Sequence, residues 1–202
     1  MRRLLGLCFV ALPLLYHCAQ AQVIEFESNG LKYQALTRSG VTVMFAPMQN
    51  HLHEYAIIQV AVSNGSSAPY AIRPEDFSYV RTGGEVIRAT PSRVVIDMLF
   101  QKGSGSDVIK LVQAYEAGVY GNPHMRSTNG YEQRRLAALS MSATKVRSAA
   151  IASALTLVQA KLAQGESTDG AVFFVTDGKP LGPGHLLVRT NTDIFEFLAA
   201  SE

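Results

Sequence analysis

From Leu31 to Ala89 the chain alternates in twos. Leu31, Tyr33 and Ala35 are apolar or aromatic against Lys32 and Gln34, which puts one side of an extended strand on a core and the other in water. Val41 to Phe45 follows the Ser39-Gly40 turn, and Glu54 to Ser63 is rich in β-branched residues, so two more strands are predicted. Asn64-Gly65-Ser66-Ser67 stops the second of them, because Asn and Gly accept positive φ at little steric cost. Phe77 to Arg81 and Glu85 to Ala89, joined by Thr82-Gly83-Gly84, read as a hairpin. The first half is predicted to be antiparallel β.

Beyond Thr90 the apolar period lengthens to three and four. Thr90-Pro91 sets a capping hydroxyl before a proline, and Val94, Val95, Met98 and Leu99 share one face before Gly103 ends the helix. Ser106 is expected to cap a second helix that carries Val108, Leu111, Val112 and Tyr115 and stops at Gly118. After Gly121-Asn122-Pro123 a third, long helix is predicted from about Tyr131 to Ala163, striped by Leu136, Leu139, Ala143, Val146, Ile151, Leu155, Val158 and Leu162. Its middle is mostly Ala and Ser, which lets another backbone approach closely, and the expected use is packing on the same chain. Ala171 to Thr176, His185 to Thr190 and Asp193 to Leu198 return to β character. These last strands are too few for a sheet of their own. Residues 22–202 therefore read as one domain, mainly β with a three-helix insertion at about 90–164.

The first 21 residues change the setting. Arg2 and Arg3 precede an apolar run from Leu4 to Leu15, and Ala19-Gln20-Ala21 has small residues where a signal peptidase reads, so residues 1–21 are expected to be a signal peptide cleaved after Ala21. The run is about a dozen residues, broken by Pro13, and is short of the roughly twenty needed to span a bilayer. Leu15 lies three places before Cys18, as in a lipoprotein signal, but Tyr16 and His17 are too bulky there, so periplasmic or secreted delivery is expected instead. Cleavage removes Cys8 and Cys18, the 2 cysteines of the chain, and with them disulfides and thiol nucleophiles. It also removes Arg2 and Arg3 from a total of 18 basic residues, and those remaining balance the 16 acidic ones. No electrostatic pull toward nucleic acid is expected, and no later segment is apolar enough to be transmembrane.

Three stretches together carry a resemblance: a strand ending in Asn64-Gly65-Ser66; Pro74-Glu75-Asp76-Phe77 leading to Gly83-Gly84; and Gly165 to Phe174 before two terminal strands. From Leu31 to Leu198, the helical segment apart, the chain resembles the telokin-like, immunoglobulin-like domains of unknown function found in exported bacterial proteins. The resemblance implies an immunoglobulin-like antiparallel β-sandwich that serves as a scaffold or interaction module. It implies no catalytic residues.

The candidate chemistry is sparse. His51 and His53 stand two apart, a spacing at which strand residues face one side, and a shared metal ion would need His124, His185 or a carboxylate as well; a polar loop before Tyr55 is the expected reading. No Gly-x-Ser-x-Gly elbow occurs. Gly103-Ser104-Gly105-Ser106-Asp107 opens a helix but lacks the lysine of a phosphate loop, and is read as a connector. Glu75 with Asp76, and Asp169 with Asp177, lie near turns where carboxylates accept backbone hydrogen bonds. Arg134, Arg135, Lys145 and Arg147 on the long helix are too scattered to form a basic patch. No catalytic, cofactor or metal residue is assigned. The expectation is a non-enzymatic interaction or structural module of the bacterial cell envelope with an unidentified protein partner, or else a small-ligand or metal-binding periplasmic protein.

Overall fold

The computed structural model describes residues 22–28, 30–120 and 130–198. The predicted signal segment with both cysteines, the Gly121-Asn122-Pro123 loop and His124 lie outside the described residues. The strands are β1 (Ile24–Ser28), β2 (Leu31–Arg38), β3 (Val41–Leu52), β4 (Tyr55–Asn64), β5 (Tyr70–Ile72), β6 (Phe77–Arg81) and β7 (Val86–Thr90). Helices α1 (Ser92–Lys102), α2 (Gly105–Tyr120), α3 (Tyr131–Leu139) and α4 (Thr144–Leu155) follow, then β8 (Ala160–Leu162), β9 (Ser167–Val175), β10 (Gly184–Arg189) and β11 (Ile194–Glu196).

Nine strands form one antiparallel sheet in the order β1-β2-β3-β4-β9-β7-β6-β10-β11, and β5 pairs with β8 in a small second sheet. The large sheet curls. Among the described residues the ladders of its two halves meet where β7 pairs with β9, at Ala89↔Phe174 and Thr90↔Phe173. Across the curl Phe45 of β3 meets Phe197 edge-on, with ring centres 4.9 Å apart, and Tyr79 of β6 meets Phe174 of β9 at 6.5 Å. Arg38 donates to the Ile194 carbonyl and Ser39 to the Asp193 carboxylate, both at 2.8 Å, tying the β2–β3 turn to β11.

The two-residue period of the strands explains two cores on one sheet. Ala56, Ile58, Val60 and Val62 of β4 point into the curl with Val43, Val172, Phe174, Leu186 and Val188. The alternate residues Tyr55 and Ile57, with Phe173, point outward beneath the helices, against Leu99, Leu111, Tyr115, Ile151 and Leu155. Each such side chain contributes about 1.5–3 kcal/mol on burial, so a strand buried on both faces is the main source of stability. Alternation reads clearly at the start of β2, where Leu31 and Tyr33 are buried about exposed Lys32, and disappears in β4, where nearly every residue is buried.

The helical insertion departs from expectation in five ways. The single helix predicted over Tyr131 to Ala163 is two, α3 and α4, so the described residues hold four helices instead of three. The break falls at Ser140-Met141-Ser142-Ala143, where the Ser140 hydroxyl donates back to the Ala137 carbonyl; short hydroxyl side chains compete there with the helical ladder. The insertion also closes earlier than residue 164. Leu157 donates to the Ala171 carbonyl and Ala160–Leu162 becomes β8, so pairing with β5 overrides the apolar stripe. At the other end Thr90 stays in β7 and caps nothing; Pro91 is the residue before α1. Ser104, not Ser106, starts α2, which runs past Gly118 to Tyr120.

Candidate functional site: a split between two strands

β1 and β2 form a tight hairpin through Gly30, in register from Ile24↔Ala35 to Ser28↔Leu31, with Phe26 stacked on Tyr33 at 5.2 Å. β2 pairs with β3 only from Gln34↔Phe45 to Arg38↔Val41. Beyond Phe45 the two strands part. β3 continues to Leu52 alongside β4 alone, and its register with β4 breaks between Pro47 and His51. Proline brings no N–H to a ladder and is accommodated at edges and irregularities, so Pro47 sits where β3 becomes an edge.

The parting leaves a cleft of about 370 Å³. Glu25, Glu27, Lys32 and Gln34 line it from the β1–β2 hairpin, Phe45 and Pro47 from β3, and Tyr79 and Gly184 from the opposite half of the curl. A second cleft, of about 380 Å³, shares Pro47 and Tyr79 and continues past Gln49 and His51 to Pro180, Leu181 and Gly182. Meeting at Pro47 and Tyr79, the two clefts follow β3 as a groove whose hairpin wall sets the stacked Phe26 and Tyr33 among its polar side chains.

The walls are fixed by directed bonds. Tyr79 donates to the Gly182 carbonyl at 2.7 Å, and Arg81 Nε to the Leu181 carbonyl at 3.0 Å, which hold the loop before β10 against the groove. Burial pushes the Tyr79 phenol above its ordinary value, outweighing Arg81 nearby, so it stays a protonated donor. Gln34 Nε2 donates to Glu25 Oε1 at 2.6 Å. On the outer side α2 closes the split: Tyr33 donates to the Gly118 carbonyl at 3.0 Å, and Gly118 lies against Met48 and Gln59, whose side chains would have to give way to a Cβ there. Burial raises the Tyr33 phenol as well. The helical side of the split is therefore closed by α2.

Of the residues singled out in the sequence, His51 alone lies on these clefts. His51 lines the second cleft, while His53, at φ 50 in the β3–β4 turn, faces Asp107 at 3.2 Å. His185 lies 3.2 Å from Glu196. Among the described residues no three His, Cys, Asp or Glu side chains gather as metal ligands. The Gly103–Asp107 stretch is a helix-to-helix connector: Asp107 Oδ2 accepts from the Ser104 amide at 2.8 Å and hydroxyl at 2.7 Å, while the Asp107 amide donates back to Ser104 Oγ at 3.3 Å. Asp76 accepts from the Arg73 amide and guanidinium at 2.9 Å each. Asp169, buried on β9, accepts from the Tyr115 hydroxyl, and Asp177 occupies a left-handed turn. Arg134 donates to the Ala154 carbonyl and Arg135 lies 2.5 Å from Glu116, so these basic groups serve the helical layer itself. The groove was missed because its signal is a change of pairing partner along β3; Pro47 within a strand pattern was the one local mark of it.

No helix among the described residues is long and apolar enough to cross a membrane. No protein-family model, curated protein or solved structure matches the chain.

Proposed function

We propose that the chain is an exported, non-enzymatic interaction module of the bacterial cell envelope, in which an immunoglobulin-like sandwich, the finer reading of the curled sheet, presents the groove along β3 to a protein partner. The observation that carries this reading is the groove's composition. Exposed Pro47 over the buried Phe45, Tyr79 and Leu181, beside a wall of Glu25, Phe26, Glu27, Lys32 and Gln34, offers a recess for shape and charge for orientation. Export rests on the cationic, apolar and small-residue order of residues 1–21.

Site-specific photocrosslinking in intact envelopes tests the reading. A photoreactive residue at exposed Lys32 or Gln49 is expected to capture a discrete protein, and one at exposed Lys145, on α4 in the helical layer, is not. Equal capture at all three, or none, would remove the proposal. Mass spectrometry of the secreted chain is expected to find Gln22 at its N-terminus; an acylated Cys18 would place the protein on a lipid anchor. A second reading, small-ligand binding, is favoured by the size of the first cleft, which falls within the range of about 300–1,000 Å³ usual for such sites. A small molecule retained through purification, seen by native mass spectrometry, would decide for it.

A further inference from the structure

We infer that the groove takes its partner as an added β-strand: an extended peptide segment carrying a Lys or Arg pairs with the edge of β3 from Met48 to Leu52. This rests on the interaction reading above and names the kind of partner.

Four observations converge on it. The β2 ladder ends at Gln34↔Phe45 while β3 remains a strand to Leu52, so the seven residues from Ala46 onward, about 20 Å at strand rise, have no ladder partner on the β2 side; Ala46, Pro47, His51 and Leu52 pair with β4, and the three residues between them bulge. Among the described residues, no backbone hydrogen bond from outside the sheet reaches this stretch. An unpaired strand edge is a row of donors and acceptors at the spacing of another strand, and proteins that do not use such an edge shorten, charge or cover it. Here the helical side is covered by α2 and the inner side is left open as a groove. Pro47 removes the donor at the point where β2 departs, so pairing begins after it.

Side-chain chemistry then selects among strands. A strand lying on β3 sends alternate residues into the groove, where Phe45, Pro47 and Tyr79 at one end and Ala56, Pro180 and Leu181 at the other receive apolar groups. At the hairpin end Glu25 and Glu27 outnumber Lys32, so a basic residue entering there meets net negative charge. In strand addition the main chain supplies affinity and the pockets supply specificity.

The test is selection of a random-peptide phage library on the mature chain, followed by synthesis of the enriched sequence. Enriched peptides are expected to alternate apolar and polar positions and to carry Lys or Arg. The synthetic peptide is expected to slow amide exchange at Met48 to Leu52 about tenfold or more, and N-methylation of its alternate amides to weaken binding by at least about tenfold. Glu25→Gln with Glu27→Gln, at exposed positions that leave the fold intact, is expected to weaken the basic peptide several-fold and to flatten its salt dependence. Failure to enrich any sequence, indifference to N-methylation, or protection on β1 or β11 instead would overturn strand addition. Crosslinks at Lys32 and Gln49 without exchange protection on β3 would leave the interaction reading standing and remove this mode alone; absence of both would remove both.

Discussion

Gln59 is the residue whose surroundings fit it least. It lies in the middle of β4, fully buried, opposite Ala46 on one side and Ala171 on the other, beneath Gly118, and neither its Oε1 nor its Nε2 has a hydrogen-bond partner among the described residues. A buried amide left unpaired costs about 1–3 kcal/mol, whereas an apolar side chain of similar shape costs nothing there. Gln59→Met is therefore expected to raise stability by about 1–2 kcal/mol, read as a higher urea midpoint at unchanged slope. A lower midpoint would mean that the amide is satisfied in solution. Asp107 is the opposite case. Burial alone pushes its carboxyl up, but the Ser104 hydroxyl and amide, with His53, outweigh burial and hold it below its ordinary value of 3.8. A group whose folded value is depressed stabilises the fold above its unfolded value, and that stability is lost as pH falls through the folded value. Urea midpoints are expected to fall as pH drops below about 4, and Asp107→Asn to remove part of that slope. An identical pH profile in the variant would show that other carboxylates carry it.

At the scale of elements, close approach decides where helices sit. Gly103 ends α1 against the start of α4, and a Cβ there would come within 2.8 Å of Ser148 Cβ and collide with the Leu99 carbonyl. Ser148 is itself held by its hydroxyl, which donates to the Ser104 and Thr144 carbonyls at 2.9 Å each. Neither side can give way, so Gly103→Ala is expected to cost about 1–3 kcal/mol in a thermal melt. Ser148→Gly in the same chain would recover part of the loss if the α1–α4 contact is the cause. What the sequence disclosed about elements follows the same division between local and distant causes. β2, the β6–β7 hairpin and β9 to β11 were legible because alternation and turn residues are local signals. β1, β5 and β8 were not: β1 is an exposed edge with little apolar content, and β5 and β8 are three residues each, defined only by each other across the chain. The same holds for the groove. His51 was visible in the sequence, but Tyr79 and Gly184 reach its other wall only through the curl.

For the whole molecule the question is whether two cores make one cooperative unit. The helical core and the core inside the curl share β3, β4 and β9, which bury alternate residues in each, so neither can dissolve without exposing the back of the same strands. Leu111 on α2 and Leu186 on β10 are buried at the far sides of these two cores. Replacing either by Ala removes packing on one face only and is expected to cost about 2–5 kcal/mol. If the shared strands couple the cores, far-UV dichroism and the fluorescence of the chain's 8 tyrosines trace one coincident transition in the parent and in both variants. A helical signal lost before the β signal in Leu111→Ala would mean that the insertion melts as its own unit. It would then detach α2 from the outer side of the β2–β3 split, so groove binding and helical stability would fall together as denaturant rises. Coincident loss in every variant instead makes the groove as stable as the sheet that forms it, as a preformed strand edge requires.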